Sequence, residues 1–307
     1  MSALLLVPAL LLDAALGEPK LLWTRVPHPA VLMGRAVGWA EARLNAGSQR
    51  KAKGVAAMAG LAGAAMLLGW AIHLLPDFGV LEIIVAAILL AQRSLVQHVA
   101  AVADALRLSL GDGRRAVAMI VGRDTGSMDE AAVSRAAIES AAENFSDGVI
   151  APAFWFLIGG LQGLMLYKIT NTADSMIGHR TERYAQFGWA AARFDDLLNL
   201  VPARLTALLI AAVYGRWDAG VVIMRDAALH RSPNAGWPEA AMAVVLNVSL
   251  SGPRSYGGVM TDFPYVYPQG LRTAGQHEID GSVAALWRSW AGFVAGVVVI
   301  AFIGVLL

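Results

Sequence analysis

The chain has 307 residues, of which 57% are apolar and 15% charged, against about 25% charged in a typical soluble chain. With a mean hydropathy of +0.56, this composition excludes disorder, coiled coil and collagen, and it makes an all-α, polytopic integral membrane protein the expected class. A net charge of +1 provides no basic field for nucleic acid, and the absence of cysteine excludes disulfides, thiolate metal sites and thioester chemistry.

Residues 1–12 are apolar, lack a basic leading region and run directly into Asp13 and Glu18, so they read as a retained, short membrane-embedded helix. Residues 13–53 hold seven Lys/Arg and three acids, which places them on the cytoplasmic side. Within them, VPHPAVLMGR fixes His28 between Pro27 and Pro29, a backbone suited to positioning the ring, although a hydrogen-bonded loop histidine would look the same. Residues 54–76 form an uncharged stretch of spanning length in which Ala56, Gly60 and Ala64, and Ala59 and Gly63, recur every fourth residue, predicting a close-packed face. A weaker span at 83–103 carries Arg93, which at mid-membrane costs about 2.5–3.5 kcal/mol unless it faces the bundle interior.

A helix is predicted over 131–147, with Glu139 and Glu143 at i, i+4 and Asp147 one turn on. Their mutual repulsion would be relieved by a cation, and Asn144 adds a neutral oxygen, a hard-ligand set of the kind Mg²⁺ takes; a solvated acidic face has the same spacing. After the uncharged stretch 148–167 comes KITNTADSMIGHR, where Asn171, Asp174 and Ser175 share a helical face flanked by Lys168 and Arg180. AARFDDLLNLVPARL then sets Asp195 and Asp196 within one turn of Asn199, with Pro202 as a kink and Arg204 just inside the apolar stretch 197–215. An Asp pair with Asn suits a metal bridging to phosphate, while a plain helix surface and a snorkelling Arg204 are the alternatives. In HRSPNAGWPEAAMA, His230 precedes Ser232, which can cap a turn, and Asn234 and Gly236, which allow unusual backbone. Residues 216–288 read as an ordered, loop-rich segment of a single domain 1–307, and 289–307 as the last of about five spans. Walker, Rossmann, HExxH and serine-elbow motifs are absent.

Strict alternation of five spans puts 104–147 and 216–288 inside with 13–53 but 168–196 outside, which would divide the polar motifs across the bilayer. The stretch 148–167 has Pro152 near its start and Gly159, Gly160 and Gly163 at its middle, residues that break helices. It is therefore expected to enter and return, or to break at Gly159–Gly160, with the motif helices meeting in a cytoplasm-facing cavity.

GRDT at 122–125, ESAAENFSDGVIAP at 139–152, NTADSMIGHRTERYAQFGWAAARFDDLLNLVPARL at 171–205, HRSPNAGWPEAAMA at 230–243 and the early VPHPAVLMGR closely resemble the CobD/CbiB family, the adenosylcobinamide-phosphate synthases. The resemblance covers nearly the whole chain. It implies ATP-dependent amide formation between the f-side-chain propionate of adenosylcobyric acid and (R)-1-aminopropan-2-ol phosphate in cobalamin biosynthesis, in a multi-pass protein of the cell inner membrane. It also allows self-association or association with other late enzymes of that pathway. Under it, Glu139, Glu143, Asp147, Asp174, Asp195 and Asp196 would hold Mg²⁺ on ATP, and Lys168, Arg193 and Arg204 would act on phosphate with Arg123, while His28 or His230 would serve as base. Substrate contacts would fall to Arg35, Arg123, Asp124, Asn144, Asn171, Ser175, Tyr184, Asn199, Ser232, Asn234 and Glu239. Two other classes fit the same acidic helices and buried charges: an intramembrane Mg²⁺-dependent transferase acting on a lipid diphosphate, and a transporter.

Overall fold

A computed structural model describes residues 2–306, so the first residue of the expected 1–12 segment and the last of 289–307 lie outside the described residues. The chain is an all-α membrane protein. Among the described residues four helical stretches, Arg50–His73, Val80–Leu108, Glu130–Ile177 and Gln276–Leu306, are long and apolar enough to cross a bilayer, or five if one pair bent by 43° counts as a single span. Many large apolar side chains on these helices stay exposed, such as Leu67, Leu68 and Trp70 on one and Val299, Phe302 and Ile303 on another, as a hydrocarbon solvent permits and water does not.

In chain order the helices are α1 (Ser2–Leu16), α2 (Lys20–Trp23), α3 (Pro29–Leu44), α4 (Arg50–His73), α5 (Val80–Leu89), α6 (Gln92–Leu108), α7 (Leu110–Val117), α8 (Glu130–Phe145) and α9 (Ala151–Ile177). There follow α10 (Trp189–Leu198), α11 (Leu200–Val213), α12 (Gly220–Ala227), α13 (Gly236–Leu246) and α14 (Gln276–Leu306). Four short strands pair antiparallel as two ribbons: β1 (Leu250–Ser251) with β4 (Tyr265–Val266), and β2 (Arg254–Tyr256) with β3 (Val259–Thr261). Cα packing divides the chain into two compact units, one comprising Met1–Arg93, Asp147–Asn199 and Gly296–Leu307, the other Ser94–Ser146 and Leu200–Ala295.

In the first unit α9 packs against α4, α10, α3 and α1. It is not one rod: Gly159 (φ −122°, ψ 17°) and Gly160 (φ 58°, ψ −152°) leave helical geometry, and Gly160 occupies a region essentially restricted to glycine. The chain doubles back there, since a side chain on Gly163 would come within 2.3 Å of the Trp155 carbonyl oxygen. The break expected at Gly159–Gly160 is thus present. Helix α4 meets this hairpin through Gly69, where an added Cβ would lie 2.9 Å from the Gln162 Cα. Its buried face is Gly54, Met58, Ala65 and Gly69, whereas Ala56, Ala59, Gly60 and Ala64 are exposed. The small-residue stripe expected to pack therefore faces outward; the neighbours fill the adjacent face, with Phe187 against Gly54. The weaker span is interrupted at Leu90–Ala91, between α5 and α6. Asp13 of α1 accepts the Gln92 backbone N–H (2.8 Å), and Arg93 donates to the Ala14 and Ala15 carbonyls (3.1 and 3.0 Å), so each charge satisfies an orphaned helix end inside the unit.

In the second unit α13 is central, packed against α8, α11 and α12, with β1 laid along α8. Its first turn brings Glu239 beside Glu139 of α8, so the motifs at 139 and 230–243 share one core.

Candidate active site

The second unit holds a buried cluster of charges. Asp129 caps α8 by accepting the Ala132 N–H (2.7 Å), and one face of that helix then carries Glu139 into the core, 2% exposed. Glu139 accepts from the Arg123 guanidinium and from the Ser251 N–H (2.7 Å), with Arg254 Nη2 at 3.4 Å. A buried carboxylate is stable only when paired and hydrogen-bonded, and two guanidiniums with one amide meet that requirement. Arg254 also donates to Ser251 Oγ (2.6 Å) and lies 5.2 Å from the Phe263 ring centre. Asp124 ties the GRDT segment to the β2–β3 ribbon: its N–H donates to the Ser255 carbonyl (3.1 Å), and its Oδ2 accepts from Ser255 Oγ and Gly258 N–H (2.7 Å each). The Gly258 and Ser255 bonds hold its carboxyl below the usual range.

Glu239 is as buried as Glu139 but differently surrounded. Its Oε1 lies 3.7 Å from His230 Nε2, and its Oε2 has no hydrogen-bond partner among the described residues. Burial, reinforced by repulsion from Glu139 and Glu143, pushes its carboxyl well above the ordinary range. His230 Nδ1 accepts the Ser232 N–H (3.0 Å), and burial lowers its pKa. The expected cap at Ser232 is present: its Oγ accepts from the Asn234 and Ala235 N–H groups, both at 3.3 Å. Arg204 donates to the Leu200 carbonyl (2.7 Å) and to Asn234 Oδ1 (3.2 Å) and stacks 4.6 Å over Trp237, which fastens α11 to this loop. Glu143 is exposed, with Glu139 and Arg231 as charged neighbours, and the Asn144 amide is turned back to Ser140 (2.9 Å to its carbonyl).

The first unit holds a second polar network. Tyr167 donates to Asn199 Oδ1 (3.0 Å), Asn199 donates to Asp195 Oδ2 (3.0 Å), and Asn171 donates to Asp195 Oδ1 (3.3 Å). Asp174 and Asp196 are close enough to repel Asp195, and Asp196 pairs with Arg193 at 3.0 Å. Lys168 has Asp147, Glu18 and Asp13 as charged neighbours. His28 caps α3: its Nδ1 accepts the Ala30 N–H (3.1 Å) ahead of Pro29, its ring meets Trp23 edge-on at 4.5 Å, and burial lowers its pKa. Arg35 and Ser175 are exposed, and Tyr184 stacks beneath Arg183 (5.4 Å). Of the six carboxylates considered for Mg²⁺, Glu139 and Glu143 belong to the second unit and Asp147, Asp174, Asp195 and Asp196 to the first. Among the described residues no three carboxylate or imidazole groups are arranged as a metal centre.

Both histidines spend the Nδ1 lone pair on a backbone N–H, so in the neutral ring Nε2 carries the proton and has no lone pair for a base. These contacts fix the ring orientations of His28 and His230. Sequence reasoning missed Arg254, Ser251 and Arg231. Arg254 and Ser251 lie in SLSGPRSYGG, a Gly/Pro-rich segment without periodicity; Arg231 stands directly after His230.

No solved structure matches the chain. It is 49% identical over 317 residues to the cobalamin biosynthesis protein CobD of Sinorhizobium sp, covering 97% of this chain and 98% of that one. It is 48% identical to the protein of that name in Brucella suis (96% of each chain) and 47% identical to that of Rhodobacter capsulatus (86% of each). Residues 6–286 match the family described as CobD/Cbib protein, and on that coverage, with the 139, 171 and 230 motifs carrying the two networks above, the chain belongs to the CobD/Cbib family of cobalamin biosynthesis.

Proposed function

We propose that this chain is the adenosylcobinamide-phosphate synthase of its pathway, forming an amide between the f-side-chain propionate of adenosylcobyric acid and (R)-1-aminopropan-2-ol phosphate with ATP. The observation that carries this reading is the pair Arg123 and Arg254 fixed on buried Glu139, beside a Glu239 carboxyl whose pKa is raised. A carboxylate does not react with an amine until one of its oxygens is made a leaving group, and transfer of a phosphoryl group from ATP does so. That transfer needs guanidinium or ammonium groups held where charge develops, and the pairing with Glu139 holds two guanidiniums without side-chain reorganisation. The amine arrives as an ammonium and must lose a proton before it attacks. Glu239, with one oxygen unpartnered and a raised pKa, is suited to take it.

Mg²⁺ arriving with the nucleotide would supply neutralisation of phosphate charge. Because it keeps most of its water shell and takes one or two carboxylates, a protein needs no complete ligand cage for it. Within the first unit, Asp174, Asp195 and Asp196, mutually repelling and next to Asn171, would suit a hydrated Mg²⁺. The inner membrane is the proposed location.

The test is direct. Purified protein in detergent with adenosylcobyric acid, the amino-alcohol phosphate and MgATP should consume one ATP per amide formed, and EDTA should stop turnover. Absence of substrate-dependent ATP consumption would overturn the reading, and both the lipid-diphosphate transferase and the transporter predict that absence.

A further inference from the structure

A cavity of about 230 Å³ opens within the second unit, its wall including Arg123, Asp124, Asp129, Arg135, Arg254 and Tyr265. Glu139 is not part of the wall; it lies behind it, bonded to Arg123 and close to Arg254. A guanidinium has five N–H donors in a rigid fork, and Arg123 gives only one of its nitrogens to Glu139, so donors remain for an anion on the cavity side. Arg135, whose Nη1 donates to the Arg272 carbonyl (2.9 Å), adds a third guanidinium at the rim. Opposite charge is also built into the wall. Asp124 and Asp129 are fixed by the ribbon and by the start of α8, so neither can swing away from a ligand.

Size and charge together select the occupant. The volume falls below the roughly 300–1,000 Å³ of pockets that bury a drug-sized ligand, so it can enclose a small molecule whole but only one end of a nucleotide or corrin. A ligand that is only anionic would meet two fixed carboxylates, and one that is only cationic would meet three guanidiniums. We propose that this cavity seats the small phosphorylated amine, its phosphate on Arg123, Arg135 and Arg254 and its ammonium toward Asp124 and Asp129. This rests on the function proposed above and assigns one of its substrates to a place. The amine nitrogen is thereby held on the same wall of side chains that backs onto Glu139.

The experiment is equilibrium binding to the full-length protein in detergent, without ATP or corrinoid, by calorimetry with (R)-1-aminopropan-2-ol phosphate. Orthophosphate and unphosphorylated 1-aminopropan-2-ol serve as separate probes. Arg135→Gln, at a half-exposed position, and Arg254→Lys should each weaken the phosphorylated amine about tenfold or more, as loss of a charge-assisted or bidentate contact does. Orthophosphate should compete, the unphosphorylated amine should not, and in Arg135→Gln, whose guanidinium the proposed phosphoryl transfer does not use, ATP affinity should stay unchanged. Unchanged amine binding in both variants, or a loss confined to ATP, would overturn the assignment. Binding that depends on these arginines in a protein that makes no amide would leave the cavity standing and defeat the proposed reaction. Amide formation with an unaltered KM for the amine in both variants would do the reverse.

Discussion

Glu139 and Glu239 show how surroundings assign different tasks to the same side chain at one depth. Two guanidiniums and an amide hold Glu139 charged in its place, so Glu139→Gln should leave two buried cations uncompensated. Breaking such a pair costs about 3–5 kcal/mol, and the measurement is a lowered unfolding midpoint in detergent, which Glu139→Asp should largely avoid. Glu239 has no Arg or Lys ion pair among the described residues, and its carboxyl is pushed upward, mainly by burial. A base must be deprotonated to act, so kcat/KM should rise with pH through a value above the ordinary carboxylate range. In Glu239→Gln that limb should vanish and turnover fall by roughly 10²–10⁴, the usual contribution of a positioned base. An unchanged pH profile in Glu239→Gln would rule out the role. The sequence showed Glu139 plainly, because i, i+4 carboxylates on a helix are periodic. Arg254 was invisible there because its contact with Glu139 spans more than a hundred residues and starts from a loop whose path no local pattern sets.

The broken helix α9 is the element that the sequence described best. A glycine pair in the middle of a spanning stretch is unfavourable for a continuous helix, and the chain turns there. Gly160→Ala should therefore be poorly tolerated: its φ of 58° with ψ of −152° puts an L side chain in a region costing about 1–3 kcal/mol or more, read as a lower thermal midpoint and reduced folded yield. Gly60→Ala, on the exposed face of α4 with nothing within 4 Å of the added methyl, should be neutral or slightly stabilising in the same assay. The contrast measures what sequence could not supply. Both faces of α4 carry small residues at helical spacing, and only the positions of Phe187 and Gln162 decide which one is packed. The interruption between α5 and α6 was equally hidden, since no proline or glycine marks Leu90–Ala91; the reason lies in Asp13, which accepts the new N-terminal amide from another helix.

At the scale of the molecule, the first unit decides between the two topologies that the sequence left in conflict. Strict alternation puts residues 13–53 and 168–196 on opposite faces of the bilayer. In the structure Arg183 makes a bidentate pair with Glu41 (Nε to Oε1 and Nη2 to Oε2, both 2.9 Å), and Asn45 donates to the Arg183 carbonyl (3.1 Å). Groups in direct contact share a face, so the two segments lie on one side. The hairpin is consistent with this: Leu161–Ile177 rises about 25 Å at 1.5 Å per residue, close to the roughly 30 Å of a hydrocarbon core, and the shorter arm Ala151–Ile158, about 12 Å, runs back beside it. Its turn at Ile158 and Gly159 is exposed, as a turn near the far surface would be. With seven Lys/Arg in residues 13–53, the positive-inside rule predicts that the shared face is the cytoplasmic one. That orientation also meets the demand of the proposed reaction for cytosolic ATP. The chain has no cysteine, so a single Thr181→Cys at an exposed position reports on sidedness without background. An impermeant thiol reagent should fail to label it in intact cells and should label it in inside-out vesicles, in parallel with a cysteine at half-exposed Arg50. Labelling of Thr181→Cys from the periplasmic side while Arg50→Cys stays protected would separate two segments that the Glu41–Arg183 pair holds together, and would overturn both the hairpin topology and the cytoplasmic reading.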